Sequence, residues 1–100
     1  MKAYMIVRCA IHDREKFISG YGPQAAKLLE KYGGKYLIRA PGAIPLEGIE
    51  EDNYSVVISE WPSKQRALEF WNSDEYQEVK KLREGIAECK VLMIEADAIT

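Results

Sequence analysis

The chain has 100 residues, 47% of them hydrophobic, with 14 basic and 16 acidic side chains and a net charge of -2. This size and composition predict one globular domain, residues 1–100, with a modest core. The slight acidic excess argues against a nucleic-acid-binding protein, because phosphate-tracking surfaces carry a basic excess. The longest apolar run near the start, residues 3–7, is too short for a membrane span or a secretory segment, so we expect a cytoplasmic protein with no membrane partner.

The chain opens with a pattern typical of a strand followed by a helix. Residues 3–10 are apolar and β-branched and predict strand one. Asp13 can cap the helix that follows by accepting backbone N–H groups. Apolar and aromatic residues then recur at helical spacing as far as Tyr32. Pro23 lacks an N–H, so we expect a kink there or two short helices, with Pro23 in the first turn of the second.

Two glycines mark the change from this helix to strand two. Gly33 or Gly34 is the expected stop, because only glycine takes a left-handed helix-ending conformation without steric cost. Residues 35–40 then predict a strand. Regular alternation assigns its side chains to two faces, Tyr36 and Ile38 on one and Lys35, Leu37 and Arg39 on the other.

A long connection follows, and then strand three. The connection, residues 41–53, carries Ile44, Leu46 and Ile49. Because apolar residues in a loop favour burial, we expect the loop to lie against another surface. Residues 54–61 are apolar and β-branched and predict strand three.

The chain ends with a helical region and a last strand. A helix begins at Pro62-Ser63, and residues 72–74 break it and cap the next one. The apolar spacing extends that last helix to Ile86, and residues 90–95 predict strand four.

The order strand, helix, strand, strand, helix, strand is typical of a ferredoxin-like α+β fold, a two-layer sandwich. The expected spatial order of its antiparallel sheet is 4-1-3-2. Several strands are apolar on both faces, whereas the helices can cover only one face. Leaving large apolar side chains in water costs roughly 1.5–3 kcal/mol each. We therefore predict a homodimer in which the sheets of two copies face each other.

Several motifs together resemble one family, the domain-of-unknown-function family 1330 (DUF1330) of the dimeric α/β-barrel superfamily. They occur in an order and spacing that run almost end to end. They are residues 3–7, 31–39 (KYGGKYLIR), 46–48 (LEG), 60–63 (EWPS), 71–77 (WNSDEYQ) and 82–85 (LREG).

The resemblance implies a ferredoxin-like subunit, a face-to-face dimer and no agreed activity. The wider superfamily includes cofactor-independent monooxygenases, lactone isomerases, haem-degrading enzymes and ligand-binding proteins, so the fold does not settle function. The family usually has phenylalanine and tyrosine where this chain has Trp61 and Asn72, and the aromatic lining of a pocket is expected to differ accordingly.

Two arginines are the first candidates for a ligand site. Arg8 and Arg39 fall near the C-terminal ends of parallel strands one and two, at the end of the sheet where the first helix begins. Together with His12 they could hold a carboxylate or enolate, because arginine binds planar anions through a bidentate fork. The alternative is that each arginine pairs with a carboxylate such as Glu47, or reaches water.

Glu60 is a candidate for moving a proton. A carboxylate beside the apolar residues of strand three would have a raised pKa. The alternative is a paired carboxylate at the strand end, with Lys35 or Lys2 as its partner. Glu60 and His12 are therefore the two candidate catalytic residues.

Aromatic residues supply the remaining ligand-binding candidates, which are Tyr36, Trp61 and Trp71. Phe70, Trp71 and Tyr76 also have the spacing of a stripe that packs helices onto a sheet.

A zinc ion could take two thiolates from Cys9 and Cys89 and one imidazole from His12. A structural zinc site needs four ligands and no fourth is evident, so we expect no metal. We read the cysteines as buried thiols, with a disulfide as the less favoured alternative, because strand four brings Cys89 near Cys9.

Two functions remain open on sequence alone. The first is a dimer that binds a small anionic or aromatic molecule, or simply assembles. The alternative is a cofactor-independent, monooxygenase- or isomerase-like enzyme acting on a small aromatic or keto-acid substrate. Neither reading needs a cofactor, and no phosphate-binding glycine loop is present.

Overall fold

A computed structural model describes residues 1–48 and 54–97. Four strands form one antiparallel sheet: β1 (Lys2–Ile11), β2 (Lys35–Ala40), β3 (Ser55–Trp61) and β4 (Ala87–Ala96). Their spatial order is β2-β3-β1-β4, which confirms the predicted order 4-1-3-2 and the ferredoxin-like α+β fold.

The first helical segment connects β1 to β2. It consists of α1 (Arg14–Lys16), a π-helical turn (Phe17–Tyr21) and α2 (Gly22–Lys31). The Asp13 side chain accepts the Lys16 N–H at 3.1 Å, as predicted for a cap. As predicted, Pro23 lies in the first turn of the second helix, α2, where its missing N–H is tolerated. A π-helical turn, rather than a break, joins α1 to α2.

The second helical segment connects β3 to β4. It contains α3 (Lys64–Asn72), α4 (Asp74–Lys80) and a single 3-10 turn (Lys81–Arg83). Ser73 divides it as predicted, because its Oγ accepts the Tyr76 N–H at 3.1 Å and donates to the Phe70 carbonyl at 2.7 Å. The prediction that this helix reaches Ile86 is wrong. Gly85, with φ of +78°, reverses the chain, and β4 then pairs along the whole of β1.

The two layers pack tightly where β1 begins and β3 ends, and we call this region the packed end. Its core consists of Ala3, Leu29, Trp61, Ala67 and Phe70, none more than 6% exposed. Gly34 closes it, because a Cβ at that position would lie 2.9 Å from the Trp61 ring. The preceding Gly33 has φ of +90° and ends α2, as predicted.

The face of the sheet away from the helices, the outer face, is uncovered in the single chain. It carries side chains from all four strands, and Ile38, Leu92 and Ile94 are 47–56% exposed. In the connection after β2, Ile44 and Leu46 are also exposed, so they do not pack on their own subunit. Ile49, the third apolar residue of that connection, lies outside the described residues.

No helix in the part of the chain that the structure describes is long and apolar enough to cross a membrane.

Candidate functional site: a cavity between sheet and helices

A cavity of about 260 Å³ lies between the sheet and the helical layer and adjoins the packed end, since Leu29 and Phe70 belong to both. The inward-facing residues Val7 and Cys9 of β1 and Ser55, Val57 and Ser59 of β3 form its sheet wall. The π turn, the start of α2 and the α3–α4 region form its helical wall. The volume is just below the roughly 300–1,000 Å³ typical of sites for drug-sized ligands, which indicates a smaller molecule.

A β-bulge in β2 directs one arginine into this cavity. Tyr36 pairs with Ser59 and Ile38 with Ile58, so Leu37 is the extra residue between two matched positions. Beyond the bulge, Arg39 pairs with Val57 and joins Tyr36 on the inner face. The predicted alternation is therefore wrong from Leu37 onward, because one extra residue inverts the faces of all that follow.

A pair of phenols stands in the helical wall. The hydroxyl oxygens of Tyr21 and Tyr76 lie 2.8 Å apart, and Arg83 Nη1 lies 3.5 Å from the Tyr21 oxygen. Burial raises the pKa of both phenols above the ordinary value. Burial also raises the pKa of Tyr36 to about 12. All three tyrosines therefore stay protonated, and able to donate hydrogen bonds, at neutral pH.

The charged residues of the lining all have the same sign. Arg14, Arg39 and Arg83 line the cavity, and the described lining contains no aspartate or glutamate. None of these arginines takes part in an ion pair among residues 1–48 and 54–97. The guanidinium of Arg39 lies 4.9 Å from the Tyr36 ring centre, and that of Arg83 lies 5.4 Å from the Tyr21 ring centre. Within the part of the chain that the structure describes, the cavity thus offers positive charge without a competing carboxylate.

Of the predicted ligand-binding residues, Tyr36, Arg39 and Trp71 line the cavity. Trp71 is half-buried, with the Lys80 ammonium 4.8 Å from its ring centre. Arg8 lies on the outer face, with its guanidinium 5.0 Å from the Tyr54 ring centre, so it does not join Arg39 in one site. Trp61 is 1% exposed at the packed end, where its Nε1 donates to Ser59 Oγ at 3.0 Å.

Neither predicted proton-transfer residue lies in the cavity. His12 is exposed, with its Nε2 3.9 Å from Glu88 Oε2. Glu60 lies on the outer face between Lys2 at 3.1 Å and Lys35 at 3.6 Å, which are the alternative partners expected from sequence. The hydrogen bond from Lys2 lowers the pKa of Glu60, so the expectation of a raised pKa is wrong.

Cys9 and Cys89 face each other across β1 and β4 and form a disulfide. The expectation of two buried thiols is wrong, because the register places the two cysteines directly opposite each other with their Cα atoms 4.2 Å apart. Cys9 also belongs to the cavity lining. No group of three metal-ligating residues occurs among the residues that the structure describes.

Sequence reasoning missed the phenol pair and two of the three arginines. Tyr76 has the spacing of a stripe that packs helices onto the sheet, and Tyr21 is one of the apolar and aromatic residues at helical spacing in the first helical segment. One signal was available, because a tyrosine in a core stripe usually needs a partner for its hydroxyl. Arg14 and Arg83 stand in short helical stretches with no distinctive pattern, and only the fold brings them to one cavity.

Comparison with solved structures supports the fold. A protein of unknown function from Rhodopseudomonas palustris has a TM-score of 0.79 at 19% identity, over 98% of this chain and 84% of that one. SnoaB, a cofactor-independent oxygenase from Streptomyces nogalater, has a TM-score of 0.71 at 13% identity, over 98% and 95%. A protein from Arabidopsis thaliana has a TM-score of 0.68 at 11% identity, over 98% of both chains. At these identities the likeness shows the fold alone.

Sequence comparison identifies the family. No curated protein sequence matches the chain. The model of a domain of unknown function, DUF1330, matches residues 2–97. The match covers nearly the whole chain, including every strand and helix that forms the cavity. The protein is therefore a member of the DUF1330 family.

Proposed function

We propose that the protein binds a small, flat organic anion in the cavity between sheet and helices. The observation that carries this proposal is the lining itself, with three arginines, no acidic residue among the described residues and an otherwise largely apolar wall. Arginine binds a carboxylate through a planar, bidentate fork. The apolar and aromatic remainder suits a ring system, and the volume of about 260 Å³ limits the ligand to a few fused rings.

The test compares naphthoate with its uncharged amide, naphthamide, by isothermal titration calorimetry. Naphthoate should bind, and the amide should bind at least about tenfold more weakly, because it lacks the charge that the arginines recognise. Arg39→Gln should weaken naphthoate binding by a similar factor.

Arg66→Gln is the matched control for Arg39→Gln. Arg66 pairs with Glu69 at 2.8 Å and does not line the cavity, so its loss should leave binding unchanged. Equal affinities for acid and amide would overturn the proposal, as would an Arg39 variant that binds naphthoate normally.

The proposal includes a homodimer formed through the outer faces of two sheets. Ile38, Leu92 and Ile94 form an exposed apolar surface there, and a second copy presents an identical, self-complementary one. Leu92→Lys should shift the protein from dimer to monomer in sedimentation equilibrium. Leu82→Lys, in the helical layer, is the control and should stay dimeric. A monomeric parent protein at micromolar concentration would contradict the dimer.

The cytoplasmic location stays a prediction, and the disulfide provides its test. The cytosol keeps most cysteine pairs reduced, whereas disulfides persist in oxidising compartments. Acid quenching of intact cells, followed by alkylation under denaturing conditions because Cys9 is buried, should label Cys9 and Cys89 if the protein resides in the cytosol. Protection of both cysteines would argue for an oxidising compartment.

Catalysis without a cofactor is the second candidate. The phenol pair favours it, because two hydrogen-bonded phenols beside Arg83 could transfer a proton to or from a bound keto acid. SnoaB, described as a cofactor-independent oxygenase, shares the fold. The probe is phenylpyruvate, whose keto–enol conversion moves one proton and needs no oxidant. Acceleration that Tyr21→Phe/Tyr76→Phe abolishes would support an enzyme, and no acceleration would exclude this reaction.

A further inference from the structure

The phenol pair has one more hydrogen-bond donor than the structure can use. Tyr21 and Tyr76 bring two hydroxyl protons, and a single hydrogen bond of 2.8 Å joins the two oxygens. Among the described residues, the only other side chain within hydrogen-bond distance of the pair is Arg83, and a guanidinium only donates. Whichever phenol donates to the other, one O–H has no acceptor among the described residues.

The sheet wall repeats this excess of donors. Ser59 Oγ accepts from Trp61 Nε1, which leaves the serine proton without a described acceptor. The Tyr36 hydroxyl has no side-chain hydrogen bond among residues 1–48 and 54–97. A donor that faces the cavity without a protein acceptor must bond to water or to a ligand, so a complementary ligand is one that supplies acceptors.

We propose that the ligand carries two separate acceptor groups, a carboxylate held by Arg39 and a carbonyl-type oxygen that accepts a hydrogen bond from the Tyr21–Tyr76 pair. This inference rests on the proposed function, because it assumes an anion in the cavity. It narrows the ligand from any flat anion to an aromatic or conjugated keto-carboxylate. It also assigns Tyr21 and Tyr76 as the residues that determine specificity.

The separation of the donors supports two groups rather than one. The phenol pair and Arg83 belong to the helical wall, whereas Arg39 belongs to β2 at the edge of the sheet. A flat molecule between these walls can meet donors on both sides. A simple aromatic acid whose carboxylate lies on Arg39 leaves the phenol pair without an acceptor.

The experiment uses the full chain and two flat acids of the same shape, fluorenone carboxylate and fluorene carboxylate, in matched positional isomers. They differ only in a carbonyl that replaces a methylene. Calorimetry should show that at least one ketone isomer binds about tenfold more tightly than its methylene partner, which is the effect of one well-formed hydrogen bond in place of an unpaired donor.

The double variant Tyr21→Phe/Tyr76→Phe should bring this affinity ratio close to one. The double change is needed because either phenol alone still has a free O–H. Fluorene carboxylate should bind the double variant at least as well as the parent protein, which shows that the cavity is intact. Tyr32→Phe is the matched control, because Tyr32 bonds to Glu75 outside the cavity, and it should keep the preference.

The binding measurements distinguish failure of the inference about the carbonyl from failure of the proposed anion binding. If both acids bind the parent protein with equal affinity in every isomer, the inference about the carbonyl is overturned and anion binding stands. A preference that survives in the double variant also overturns it, since the phenols would not be its cause. If neither these acids nor naphthoate binds, the proposed function fails and the inference fails with it.

Discussion

At the packed end of the helix–sheet interface, Trp61 and Phe70 fill the space between the layers, and Gly34 is present because no side chain fits beside the indole. Toward the other end, the same two layers leave a cavity of about 260 Å³, whose largely apolar lining includes Phe70 and also carries phenols, hydroxyls and arginines. Dense packing of apolar groups stabilises a fold, whereas unpaired donors around a void do so poorly. The contrast indicates that stability depends mainly on the region around Trp61 and binding on the cavity beside it, with Phe70 shared by both.

Replacing one tryptophan at each end tests this division most strongly. Trp61→Ala should lower the free energy of unfolding by about 3–5 kcal/mol, because it empties a fully buried site. Trp71→Ala removes a half-buried ring at the cavity and should cost about 1–2 kcal/mol. Urea unfolding measures both changes. Equal losses would contradict the division into a packed end and a cavity end.

The disulfide is expected to compensate for weak packing at the cavity end. Cys9 and Cys89 are 80 residues apart in sequence, so their bond restricts most of the unfolded chain. Reduction should lower the free energy of unfolding by about 2–4 kcal/mol. Urea unfolding with and without reductant measures this loss, and Cys9→Ala/Cys89→Ala should not respond to reductant. A parent protein that is equally insensitive would show that the bond adds no stability.

The cavity tyrosines predict a loss of stability in alkali. Their pKa values are higher in the folded protein than in the unfolded chain, where tyrosine titrates near its ordinary value. The unfolded chain therefore loses these protons first, so stability is unaffected by them below about pH 10 and falls as the pH rises from there. For Tyr36 the fall continues to a pH of about 12.

Urea unfolding at a series of pH values measures this dependence. Tyr36→Phe should make the decline shallower than in the parent protein. A decline as steep as that of the parent protein would place the titrating groups elsewhere.

The smallest expected loss of stability comes from removing the helix caps, one at each end of the interface. Ser63 Oγ accepts the Arg66 N–H at 3.2 Å at the start of α3, and Ser73 Oγ accepts the Tyr76 N–H at the start of α4. Replacing either serine with alanine should cost about 1 kcal/mol. Only Ser73→Ala should also weaken ligand binding, because it holds the turn that positions Tyr76. Equal effects of both variants on binding would indicate a general loss of stability.

Local patterns in the sequence predicted most of the backbone. Helix capping by Asp13 and Ser73 and helix termination at Gly33 involve only residues nearby in sequence, so they could be inferred without knowing the fold. These features depend on residues a few positions away in the chain, and those residues are known from the sequence itself.

Tertiary structure alone decided the contents of the cavity. The bulge at Leu37 turned Arg39 inward, and a bulge depends on how two strands match rather than on the composition of one. Tyr21 and Tyr76 are 55 residues apart, and only the packing of α4 against α2 and the π turn joins their hydroxyls. Family membership and topology thus followed from the sequence, whereas the donors that define the ligand became visible only when distant residues met.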